Sequence, residues 1–97
     1  MGAMDVAVEL SFYPLQQDYL PAIRRLIERL HAQRQLRVES TSMSTQIVGD
    51  YGLIMQLLSE ELREALGAAA RSVVILKLVG PLEGASGAGV RPAAPAN

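Results

Sequence analysis

The sequence contains no cysteine and no tryptophan, a single histidine, and only four aromatic residues (one Phe and three Tyr). Without cysteine there are no disulfides, no thiolate metal sites and no cysteine nucleophile. The lone His31, without a Cys, His or carboxylate pattern around it, is a poor start for a metal site, so no cofactor or metal is expected. So few aromatic rings leave little for a base-stacking platform. Nine basic residues stand against ten acidic ones, a net charge of -1, which gives no field that would draw in nucleic acid. No apolar run approaches the roughly 20 residues that cross a bilayer. The first residues show neither the basic nor the apolar region of a signal peptide. These absences lead us to expect a cytoplasmic protein with no nucleic-acid partner and no direct membrane insertion.

The chain has 97 residues, 49% of them apolar and 20% charged, which suits one small globular domain. From Asp5 to Tyr13 the residues alternate, with Val6, Val8, Leu10 and Phe12 on one side and Ala7, Glu9, Ser11 and Tyr13 on the other. That period of two predicts a strand with one buried face, ended by Pro14. Leu20, Ile23, Leu26, Ile27 and Leu30 then recur at helical spacing, giving an amphipathic helix of about 15 residues. Asp18 is its expected N-cap, Pro21 sits in its first turn, and its arginines form a solvated face. Two short β-prone runs, Leu36–Thr41 and Ser44–Val48, are close enough to make a hairpin. Gly49 is read as the turn before a second helix capped by Asp50, with Leu53, Ile54, Leu57, Leu58, Leu62, Ala65 and Leu66 inward and Glu60, Glu61, Arg63 and Glu64 mostly outward. The run Ser72–Gly80 is apolar on both faces, as in a central or doubly covered strand. Its Lys77 is expected to pair with Glu9 across neighbouring strands. From Pro81 onward Gly, Ala and Pro dominate. Residues 5–80 are therefore read as the folded domain and 81–97 as a flexible tail.

Strand–helix–strand–strand–helix–strand predicts an α+β, ferredoxin-like βαββαβ fold, a four-stranded antiparallel sheet with two helices on one face. The opposite face would carry Ala7, Val73 and Ile75 beside Glu9, Ser11 and Lys77. It is too apolar to stay wholly in water, so pairing between copies is expected.

Five of the six residues from Ser40 to Thr45 carry hydroxyls. Two explanations stay open: backbone hydrogen bonding in a turn, or convergent neutral donors and acceptors for a small molecule. Ser11–Phe12–Tyr13–Pro14–Leu15 at the end of the first strand, with Met43–Ser44–Thr45 and Gly49 in the hairpin region, resembles the YkoF family of thiamine- and hydroxymethylpyrimidine-binding proteins and the related thiamine-binding family formerly of unknown function. The resemblance runs from about Val6 to Gly80. It implies a non-enzymatic binding protein for thiamine or its hydroxymethylpyrimidine moiety, linked to precursor uptake or salvage and to a vitamin transporter. Carried over by position, it gives Ser11, Tyr13, Met43, Ser44 and Thr45 as ligand-binding residues, with Glu9 or Asp50 available to offset a thiazolium charge. YkoF-type chains hold two such units and this one holds one, so a homodimer or higher homo-oligomer is expected. The competing reading is a ferredoxin-like oligomerisation or regulatory module with no thiamine ligand. An enzyme ranks lowest, for want of paired carboxylates or a nucleophile with its base.

Overall fold

In a computed structural model, which describes residues 4–68 and 71–82, the chain forms β1 (Asp5–Pro14), α1 (Leu20–His31), β2 (Arg37–Ser40), β3 (Thr45–Asp50), α2 (Tyr51–Ala68) and β4 (Ser72–Val79). The four strands make one antiparallel sheet in the order β2-β3-β1-β4. This is the ferredoxin-like α+β fold. The Gly/Ala/Pro-rich tail lies, from residue 83 on, outside the described residues.

The alternation along β1 decides where the core sits. Val6, Val8, Leu10 and Phe12 are all buried, and they meet Leu26 and Leu30 of α1, Ile54, Leu57 and Leu58 of α2, and Ile47 of β3. Leu30, Ile47 and Ile54 have no exposed surface, so the two helices clamp the middle of the sheet. Gly49 is not a turn residue; it lies within β3, opposite Val6. A Cβ there would come within 2.4 Å of Leu36 Cδ2. The glycine makes room for Leu36 to close the α1 end of the core.

Helix ends and charges depart from expectation in part. The residue preceding α1 is Tyr19, with no side-chain capping bond, and Pro21 satisfies the first turn instead of the expected Asp18 cap. Asp50 does cap α2, its Oδ2 accepting from the Leu53 N–H at 3.0 Å. Glu61, expected on the exposed side, is buried. Arg29 of α1 grips it through two nitrogens, the second at 3.2 Å, and also reaches Glu64 Oε1 at 3.5 Å. Arg25 adds a bond to Glu64 at 3.1 Å. The arginine face of α1 is thus partly a lock between helices. The hydrogen bond to Glu61, and then the charges of Glu61 and Glu64, raise the Arg29 guanidinium above its ordinary pKa, so this lock stays charged.

β4 corrects a larger expectation. Among the described residues it pairs only with β1 and forms an edge of the sheet. Val73, Ile75, Leu76, Leu78 and Val79 are all exposed, Leu78 to 53%. The helices cover β1 and β3, but on β4 they reach only Val74, which packs against the core, and leave most of the strand exposed. The expected partner of Lys77 is correct: it lies opposite Glu9, with Nζ 3.7 Å from Oε1.

Candidate functional site

Where β1 ends, the sheet, α1 and the β2–β3 turn enclose a cavity of about 460 Å³. That falls within the roughly 300–1,000 Å³ usual for small-molecule sites. Its walls follow from the local sequence. The helical spacing of Ile23, Leu26, Ile27 and Leu30 puts four aliphatic side chains along one stripe of α1, over Leu10 and Phe12 of β1. Tyr13, Leu15 and Tyr19 stand along the strand-to-helix connection, and residues Thr41 to Thr45 form the side nearest the turn.

All five residues singled out in the sequence line this cavity, but they do not converge from one direction. Thr45 is buried on the helix side of the sheet, 4% exposed. Ser11 and Tyr13 alternate with Leu10 and Phe12 and so project to the opposite face of the sheet. There, with Glu9, Met43, Ser44, Ile75 and Lys77, they line a second, shallower depression of about 250 Å³. Ser11, Tyr13, Met43 and Ser44 are common to both. The site is thus two concavities, one on each side of the strand end, bridged by the turn.

The hydroxyls are mostly engaged. Thr41 Oγ1 accepts from the N–H groups of Met43 (3.0 Å) and Ser44 (3.2 Å), while its own N–H donates to the Ser44 carbonyl at 2.9 Å. It builds the turn, as the backbone explanation required. That turn holds Met43 outward, 80% exposed, as a thioether flap. Ser11 Oγ donates to the Met43 carbonyl at 3.4 Å, tying β1 to the turn. Ser44 Oγ donates to Glu9 Oε2 at 2.9 Å, so Glu9 holds both Ser44 and Lys77 on the open face. With their hydrogens used, Ser11 and Ser44 present lone pairs to any ligand.

Two residues escaped the sequence reading. Ser40 Oγ lies 2.9 Å from Thr45 Oγ1 and 3.0 Å from His31 Nε2. The sole histidine therefore connects to the buried threonine of the cavity through one serine. The Ser40–Thr45 spacing is readable once a four-residue turn is assumed; the approach of the α1 C-terminus to β2 is not. Asp50, a candidate counter-charge in the sequence, is occupied as the α2 cap and lines neither concavity. Among the described residues, no group of three or more His, Asp or Glu could hold a metal. No described helix is long and apolar enough to cross a membrane.

No family model and no curated protein matches the chain. Solved structures do. A Thermotoga maritima protein provisionally assigned to thiamine biosynthesis or salvage superposes with a TM-score of 0.71 at 26% identity, covering 78% of this chain and 83% of its own. A Streptococcus pneumoniae protein matches with a TM-score of 0.72 at 26% identity, over 79% and 88%. A hypothetical protein from Methanocaldococcus jannaschii gives 0.68 at 26% identity, over 79% and 80%. The chain is similar in fold and, more distantly, in sequence to a group of small proteins of which one has been placed in thiamine metabolism.

Proposed function

We propose that this protein binds thiamine or its hydroxymethylpyrimidine moiety, in the manner of the YkoF type, and releases it unchanged. The observation that carries the reading is the 460 Å³ cavity at the end of β1, where an aliphatic helix stripe faces a hydroxyl-rich turn. A flat aminopyrimidine has apolar faces and a polar edge of ring nitrogens and an amino group. Leu26, Ile27 and Phe12 suit the faces, and the Thr45 hydroxyl, on the same side of the sheet, suits the edge. The likeness to the Thermotoga maritima protein adds support from a separate direction. A role in cytoplasmic salvage, with the ligand passed to or from a vitamin transporter, follows from the same reading.

Calorimetric titration with thiamine and with hydroxymethylpyrimidine tests it. Thr45→Val keeps the shape of the side chain and removes its hydroxyl. It should weaken binding by about three- to tenfold, the value of one hydrogen bond. Unchanged affinity would remove Thr45 from the site. Absence of heat with either compound, for a folded protein, would reject the ligand reading altogether.

A second reading rests on a different observation: β4 exposes Val73, Ile75, Leu76, Leu78 and Val79 along an edge with no second strand beside it among the described residues. A lone chain exposing such an edge is prone to pair with another. A homodimer or higher homo-oligomer satisfies both readings. An assembly module without ligand satisfies this one alone. Sedimentation at micromolar concentration should show a species larger than one chain, and a Leu78→Lys variant should shift it toward monomer. A wild-type monomer under these conditions would count against self-association through β4.

A further inference from the structure

We propose that His31 is a positioning residue for the cavity: acting through Ser40, it sets whether Thr45 offers a hydrogen or a lone pair to a bound ligand. This deepens the pyrimidine-binding reading and rests on it for the identity of the ligand.

The geometry is a chain of three groups, His31 Nε2 to Ser40 Oγ at 3.0 Å and Ser40 Oγ to Thr45 Oγ1 at 2.9 Å. Each hydroxyl has one hydrogen and two lone pairs, so the direction of one bond constrains the next. When Nε2 is unprotonated it accepts the Ser40 hydrogen. Ser40 can then only accept from Thr45, and Thr45, its hydrogen spent, turns lone pairs to the cavity. When Nε2 carries a proton, it donates to Ser40. Ser40 is released to donate to Thr45, and the threonine hydrogen becomes available inside. A ligand edge with an amino donor fits the first arrangement; one with a ring-nitrogen acceptor fits the second. Thr45 differs here from Ser11 and Ser44, whose hydrogens are fixed on a carbonyl and a carboxylate.

Position makes the chain responsive. His31 is exposed at the C-terminus of α1, whereas Thr45 is buried, so solvent protons reach one end while the other faces the ligand. Histidine is the side chain that ordinarily changes charge near neutral pH. Arg37 and Glu39 of β2 alternate with Val38 and Ser40 and project to the opposite side of the sheet. Glu9 of β1 is held there by Ser44 and Lys77. On α2, Glu61 and Glu64 are taken by Arg29 and Arg25. Arg29, two residues back, is turned to Glu61, which leaves Glu28, one turn back on α1, and Arg34, just beyond the helix, as the next charges in sequence.

Two readouts on the intact chain test this. Without ligand, the Thr45 γ-methyl resonance should shift between pH 5.5 and 8 with the same midpoint as the His31 ring, and Ser40→Ala should abolish that response while His31 still titrates. A methyl that ignores His31 in the wild type, or still follows it in Ser40→Ala, overturns the proposal. With ligand, the affinity ratio between hydroxymethylpyrimidine and its analogue lacking the amino group should change by about three- to tenfold across that range. In Ser40→Ala the ratio should follow only the ligands' own titration, so the relay is read as the wild-type change beyond that of the variant. A wild-type ratio that matches the Ser40→Ala ratio at every pH likewise overturns the coupling. If the methyl responds as expected and neither pyrimidine binds at any pH, the relay stands and the pyrimidine reading falls.

Discussion

Substituting tryptophan for Ile27 is expected to lower the affinity for thiamine by roughly five- to 150-fold while leaving the protein folded. Ile27 is half-buried on α1 and lines the 460 Å³ cavity, yet it stands outside the cluster of buried residues that forms the core. An indole at this position takes its extra volume from the cavity, because α1 and the sheet close the other directions. A ligand then competes with a side chain for the same space, and overpacking of that kind costs about 1–3 kcal/mol, which is the fold-change given. Without ligand the same indole has an open mouth to occupy, so the thermal midpoint should stay close to that of the wild type. Calorimetry paired with a melting curve reads both quantities. Wild-type affinity in a well-folded Ile27→Trp would show that ligand does not use the helix-side concavity and would move attention to the open face around Glu9 and Tyr13.

That alternative matters because the sequence could place the site only to within a strand end. The alternation of β1 announces its buried face, and the same alternation separates Ser11 and Tyr13 from Leu10 and Phe12. What it does not announce is that Thr45 lies on the other side of the sheet from Ser11. The register Leu10 opposite Thr45 settles this, and register depends on how the hairpin closes. Thr41 closes it with its side chain, a device with no Asn-Gly signature to give it away.

Long-range pairs were legible where a pattern reports on both partners at once. Glu9 and Lys77 each break an apolar face, so each hints at the other. Glu61 and Arg29 sit on two helices whose periodicities are separately satisfied by leaving them outside, and only the packing of α1 against α2 buries the carboxylate. His31, Ser40 and Thr45 follow the same logic, since each is unremarked on its own element and they meet only where α1 ends above β2. β4 shows the opposite failure. Apolar residues on both faces imply covering, but a sequence does not say whether the cover comes from its own helices or from another chain. Here its own helices leave Val73, Ile75, Leu76, Leu78 and Val79 exposed.

Truncating Ile54 to alanine should be the more damaging change to the fold, lowering stability by about 3–4 kcal/mol. Ile54 is fully buried where α2 meets the sheet, while its neighbour Leu53, given the same inward role by helical spacing, is 39% exposed. Leu53→Ala should therefore cost much less, and near-equal effects of the two would contradict the packing described. For a domain of this size the Ile54→Ala loss corresponds to a fall in melting temperature of roughly 12–30 °C. It is also a large part of the about 5–15 kcal/mol that holds typical domains together. A variant so weakened exposes any help that β4 receives from a second copy. If folding is coupled to dimerisation, each tenfold rise in protein concentration supplies up to about 1.4 kcal/mol per dimer, and the midpoint of Ile54→Ala should climb with concentration. If the chain folds alone, the midpoint stays where it is. The uncovered strand at the edge of the sheet would then have to be kept in solution by its charged neighbours, and only Lys77 interrupts it.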